Sequence, residues 1–65
     1  MELYDVVELA VDLPDEGLKS GAVGTIVDIY NSPNVAYEVE FTDDEGRTVA
    51  MLALLPEQIR HPIQT

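Results

Sequence analysis

Carboxylates dominate the side chains that could do chemistry in this chain. Thirteen acidic residues stand against three basic ones, a formal net charge of −10. Carboxylates can serve as general acid and base or hold a cation, but each use demands a particular spacing. The densest run is Asp43-Asp44-Glu45, directly before Gly46. A calcium loop of the EF-hand kind alternates its ligands and ends in a distant glutamate. This run does neither, so it reads as a solvated hairpin tip with at most weak cation binding. Glu38 and Glu40 lie on one face of an alternating segment, turned away from its apolar side. With Asp28 or Glu8 on a neighbouring strand they would form an acidic stripe. Like charges so placed repel, which points to a basic partner or to a plainly solvated and screened surface.

No catalytic constellation accompanies them. Ser20 and Ser32 sit in glycine- and proline-marked turns, where serine is an ordinary loop residue. The single histidine, His61, lies between Arg60 and Pro62 near the end of the sequence, and there is no cysteine. An oriented nucleophile and base are both missing. The chain reads as a non-enzyme with no catalytic residues, metal ligands or cofactor.

The glycines of "GLKSGAVGTIVDIY", Gly17, Gly21 and Gly24, raise the question of phosphate binding. A dinucleotide loop needs Gly-x-Gly-x-x-Gly ahead of a helix, and a P-loop needs Lys-Ser/Thr directly after its last glycine. Here Lys19 precedes the last two glycines, and a β-branched run follows where a helix would start. These glycines serve the backbone.

Charge narrows the partners. A polyanion repels nucleic acid, whose binding rests on Lys and Arg at phosphates, and it repels anionic membranes. Basic protein surfaces are the complementary target. No apolar run is long enough to span a membrane, and the opening "MELYDVVELAVDL" is acidic where a secretory signal is basic. The expectation is a cytoplasmic protein, a single domain over residues 1–65. At 46% hydrophobic residues it has the material for a core without disulfide or zinc.

The elements that must position these residues are short strands. "DVVELAVDL" alternates, with Val7, Leu9, Val11 and Leu13 on one face. "PDEG" is a turn. "AVGTIVDIY" is a second strand, apolar on both parities, with Val23, Thr25, Val27 and Ile29 on one and Ile26 and Tyr30 on the other. Such a strand is bent or covered on both sides, and Gly24 marks a bulge or a close backbone approach. After the "NSPN" turn, "VAYEVEF" sends Val35, Tyr37, Val39 and Phe41 one way and Ala36, Glu38 and Glu40 the other. "TDDEGRT" predicts a hairpin with Gly46 in the left-handed conformation. "TVAMLALL" is apolar on both parities, "PEQI" predicts a short helical turn with Ile59 in the core, and "RHPIQT" adds a brief edge strand. Only one parity of the fourth strand can face a small interior. The set led by Leu52 and Leu54, or the set led by Val49 and Met51, is left for the tail, a second copy or a partner.

Four to five antiparallel strands with no long helix make an all-β domain, a small barrel with one 3₁₀ turn near its end. The order of "GAVGTIVDIY", "YEVEF", an acidic hairpin and "LPEQI" resembles an SH3-like barrel, and "G-x-x-G-T-I-V" is similar to the glycine–strand element of KOW-type barrels. The barrel resemblance runs from about Leu3 to Pro62, and the whole sequence further resembles a family of short bacterial proteins described only as a domain of unknown function, which share "LYDVVEL", "G-x-x-G-T-I-V" and "LP-E-Q-I". The resemblance implies a fold and leaves activity open. Nucleic-acid-binding barrels carry basic residues around the glycine element; here Lys19 stands among Asp15, Glu16 and Asp28.

The expected function is therefore a protein–protein interaction module, in its most concrete form an antitoxin or immunity-like protein neutralising a basic partner. Candidate contact residues are Asp28, Glu38, Glu40, Asp43, Asp44, Glu45, Leu52 and Leu54, with a homodimer through the fourth strand as a further mode. The alternatives are a stabilising subunit of an enzyme complex and, against the charge, a nucleic-acid-binding barrel.

Overall fold

Period-two alternation becomes strand wherever a neighbour can take up the backbone. A computed structural model describes residues 1–62. It contains five antiparallel strands: β1 (Val6–Leu9), β2 (Val23–Tyr30), β3 (Ala36–Thr42), β4 (Thr48–Leu54) and β5 (Ile59–Arg60). They form one sheet in the order β4-β3-β2-β1-β5, curled into a half-barrel. Two 3₁₀ turns, Pro14–Glu16 and Pro56–Gln58, complete it; the sequence signals only the second. The barrel does not close on itself. β4 and β5 remain the two edges, so the full closure expected of such a sheet is replaced by one open seam.

The concave side holds Val7, Leu9, Ile26, Val39, Phe41, Leu54 and Ile59, all buried. Half-buried Leu13, Leu18, Ile29, Tyr37, Ala50 and Leu52 pack around them. Of the expected inward set of β3, Tyr37, Val39 and Phe41 face the core, while Val35 precedes the strand and is exposed; Ile59 is the expected plug behind the Pro56–Gln58 turn. That turn is held by Gln58, whose side-chain oxygen accepts from the Leu55 amide at 2.8 Å.

β1 is shorter than its alternation predicts. It stops at Leu9, and Val11 is exposed. Beyond Leu9 the chain leaves the sheet into a loop closed on itself by a Leu13–Leu18 bridge and by Asp12, which accepts the Ser20 amide at 2.9 Å. The terminal edge strand is likewise shorter. It is β5, and residues 63–65 lie outside the described residues.

Two bulges shift the facing along β2 and β4; that in β2 explains why it is apolar on both parities, whereas β4 keeps apolar Met51 and Ala53 on its outer face. Ile26 pairs with Val39 but Asp28 pairs with Glu38, so Val27 is an extra residue. Each extra residue reverses the facing of everything beyond it. Ile26 therefore faces the core, and so does Ile29 opposite Tyr37, while Tyr30 opposite Ala36 turns outward. Ile26 and Tyr30 do not share a face, as strict alternation would have it. In β4, Phe41 pairs with Ala50 and Thr42 with Thr48, which makes Val49 the extra residue.

Gly24 is the close approach and not the bulge. It pairs with Phe41, and a Cβ there would meet Val39 Cγ1 at 2.6 Å, the Glu40 carbonyl at 2.9 Å and the Phe41 ring at 3.0 Å. Two of these neighbours are core side chains and the third is backbone, so none can simply swing away. Gly24→Ala is expected to lower stability by about 1–3 kcal/mol, the cost of overpacking a close-packed core. Urea unfolding measures it. Gly21→Ala is the comparison, because a Cβ at Gly21 meets nothing within 4 Å and only its φ of +94° resists the change.

Candidate functional site

The outer face of the sheet is built by the residues that alternate with the core. On β3 these are Ala36, Glu38 and Glu40, because Tyr37, Val39 and Phe41 take the inside. The Val27 bulge then sets Asp28 of β2 directly opposite Glu38. Glu40 stands two residues along the same strand, opposite Thr25 on one side and Met51 on the other. Glu8 does not join them. It lies on β1, paired with Arg60 of β5, and the two side chains form an ion pair at 3.1 Å.

Asp28 and Glu38 thus form a cross-strand pair of like charges. Directly opposed residues in such a pair have Cβ atoms about 5 Å apart, where like charges oppose strand pairing. Neighbouring groups soften the repulsion without neutralising it. The Ile29 amide donates to Asp28 at 2.8 Å, the Tyr30 hydroxyl donates to Glu38 at 3.2 Å, and the Thr48 hydroxyl donates to Glu40. The bond to Glu38 is the main reason the Tyr30 hydroxyl titrates above its ordinary value; desolvation and the charges of Glu38 and Asp28 add to it. Among the described residues no cation pairs with Asp28, Glu38 or Glu40. Arg47 is held by Asp43 and Glu45, Arg60 by Glu8, and Lys19 makes no ion pair.

The hairpin acids form a separate group with a different role. Asp43 Oδ1 accepts the amides of Glu45 and Arg47, each at 2.9 Å. Its Oδ2 takes the Arg47 guanidinium at 3.0 Å, and Arg47 also reaches Glu45 at 3.2 Å. Gly46, at φ +80°, closes the turn in the expected left-handed conformation. Asp43 and Glu45 are committed to the turn and to Arg47, while Asp44 is exposed at the tip. The six acidic candidates therefore divide into an outward-facing trio, Asp28, Glu38 and Glu40, and a self-compensated hairpin.

The apolar candidates change places. Leu54 is 4% exposed in the core and Leu52 is half-buried against it, so neither lies on the outer face with the acidic trio. Leu54 lies opposite Tyr37 and Leu52 opposite Val39, which fixes this parity inward. The apolar side chains left outside on β4 are Val49 and Met51, 57% and 50% exposed. Sequence reasoning also passed over Tyr30, whose outward position depends on the bulge. Elsewhere a concavity of about 330 Å³ is lined by Asp12, Pro14, Gly17, Leu18 and Lys19, none of them near the acidic trio in the sheet. No group of three His, Cys, Asp or Glu side chains converges as metal ligands among the described residues, and no helix is long and apolar enough to cross a membrane.

Asp43 has a pH signature. The Arg47 amide, ahead of the other hydrogen bonds it accepts, holds its carboxyl below the ordinary value of 3.8 even though desolvation pushes the other way. A carboxyl with a lowered folded-state pKa stabilises the fold above its unfolded pKa, and this stabilisation fades as pH falls through the folded value. Asp43→Ala is therefore expected to be less stable than wild type near pH 7, with the gap closing as pH falls through and below the ordinary carboxylate value of 3.8. Denaturant midpoints measured across that range for both proteins test it, and a gap that stays constant with pH counts against a charged role for Asp43.

No curated protein and no solved structure matches the chain. A family model does, over residues 3–61, a span that takes in all five strands, the acidic trio and the hairpin. By that match the chain belongs to the family described as Domain of unknown function (DUF4926).

Proposed function

We propose that the chain is a non-enzymatic protein-interaction module whose outer acidic face takes a basic protein partner. One observation carries this reading: Asp28 and Glu38 are set opposite one another on neighbouring strands, and among the described residues no cation pairs with either. A fold that spends stability on opposed like charges gains it back when a partner's Lys or Arg enters between them. The exposed Tyr30 beside Glu38 adds an aromatic face on which a guanidinium can stack. Asp44 at the hairpin tip extends the field, while Asp43 and Glu45 serve the turn.

The most concrete form of this function is an antitoxin or immunity-like protein that covers a basic surface of its partner. The setting we infer is the cytoplasm, in keeping with a chain that has no cysteine. Nucleic acid is disfavoured because two of the three cations are already paired with carboxylates.

The experiment is an affinity capture from native cells with the wild-type chain and with the Asp28→Asn/Glu38→Gln double variant. A single stoichiometric basic partner is expected on the wild type, eluting at high salt. With that partner purified, the double variant is expected to bind roughly tenfold more weakly, largely through slower association. Equal binding by both chains overturns the role of the acidic face. Labelled RNA and DNA at low salt are expected to show no binding, and saturable binding there overturns the charge argument.

A further inference from the structure

We propose that β4 is a self-recognition edge along which two copies of the chain pair antiparallel over Ala50–Leu54, about a two-fold axis at Leu52. This contact is distinct from the acidic face and does not depend on its having a partner.

The two edges of the sheet are built differently. β5 is two residues long, carries Arg60 and is soon followed by Pro62, which are devices that stop an edge from recruiting another strand. β4 has seven residues with neither charge nor proline. Among the described residues it pairs only with β3, so the backbone groups along its other side have no strand partner. The Val49 bulge twists one end of it, but Ala50 to Leu54 stay in unbroken register with β3. Five regular residues are available.

Charge selects a second copy at this edge. Two chains of net charge −10 repel almost everywhere, yet residues 48–56 carry no charge at all. The nearest outward carboxylates, Glu38 and Glu40, lie one strand back on β3. Joining two β4 edges leaves the two β3 strands three spacings apart, about 14 Å. That exceeds the Debye length of about 8 Å at physiological salt, so the repulsion between the acidic faces is largely screened.

Side-chain sizes select the register. Antiparallel pairing of a strand with itself is two-fold symmetric, the isologous geometry of a closed dimer. An axis at Leu52 places Met51 against Ala53 of the partner copy on the outer face, and Ala50 against Leu54 on the inner. Leu52 meets its own copy at the axis, and on either side of it each large side chain meets a small one. An axis at Met51 would instead draw the Val49 bulge into the pairing, opposite Ala53, and break the regular ladder. The contact is small. A tenth of the 4447 Å² surface per copy, roughly the usual share for a small protein, falls below a standard stable interface, so dimerisation at micromolar concentration is expected.

Sedimentation equilibrium on the purified chain, from about 1 μM to about 1 mM, is the test. The expected result is a monomer–dimer equilibrium with a micromolar constant, weakened roughly tenfold or more by Ala53→Lys. Position 53 is exposed and faces Glu38 across β3, so the lysine leaves the fold intact, as far-UV circular dichroism and the unfolding midpoint will verify. Met51→Lys is the second variant with the same expected loss. Because the chain has no cysteine, single-cysteine variants report the register: Met51→Cys mixed with Ala53→Cys is expected to cross-link more than either alone. A wild type that stays monomeric throughout, a dimer untouched by both lysines, or equal cross-linking in every combination overturns the proposal. The measurement contains no other protein, so a failure of the basic-partner reading leaves its outcome unchanged.

Discussion

The structure depends on one close approach, the Phe41 ring against the bare backbone of Gly24, where the start of β2 meets the end of β3. Phe41 is the only phenylalanine, and there is no tryptophan. In so small a chain no other core side chain fills the concavity as it does. Its ring and the Val39 methyl occupy the space where a Cβ on residue 24 would sit. The sheet can curl around a single aromatic because the strand beside it has been hollowed at one position. Val7 of β1 pairs with the same glycine from the other side, so three strands share the same tight point. Most of the remaining core residues close over this centre.

A curled sheet must shed residues from strict alternation, and this one does so at Val27 and Val49. Both are β-branched residues in apolar surroundings, and neither carries a sequence mark that separates it from an ordinary strand residue. This limits what could be read in advance. β3 was legible because its alternation is unbroken, and the Asp43–Arg47 hairpin because an acidic turn with glycine at its left-handed position has its own chemistry. Gly24 was legible as an irregularity, although its role is contact and not bulging. The facing of Tyr30 and the inner parity of β4 were not legible. Each depends on a register set by a neighbouring strand, and one unmarked extra residue inverts it. The same blindness misplaced Leu52 and Leu54 as contact residues when they belong to the interior.

The acidic residues show how composition alone misleads about electrostatics. A count of thirteen acids against three bases suggests an evenly negative body. The fold distributes the bases unevenly. Arg47 spans two carboxylates at the hairpin and Arg60 joins the two strands at the β5 edge. Both arginines do local work, one fixing a turn and the other holding a two-residue strand to β1. What remains uncompensated on the sheet is Asp28, Glu38 and Glu40. On the convex face of β2 and β3 these three carboxylates have only neutral hydrogen-bond donors for company, so their charge stands uncancelled there.

Beside that face lies its opposite, the uncharged strand β4. Self-repulsion on a small polyanion opposes both compaction and association, so an uncharged edge of seven residues lets a copy approach with Glu38 and Glu40 held one strand back. Lysines on β4 would have protected the edge while also neutralising Glu38 and Glu40 from across the strand pair. The absence of charge on β4 thus preserves the acidic face and leaves the edge open at the same time. Two surfaces on one small sheet are coupled in this way: a side chain that closed one would silence the other. A half-barrel, unlike a closed barrel, has room for that arrangement because it keeps an edge to use.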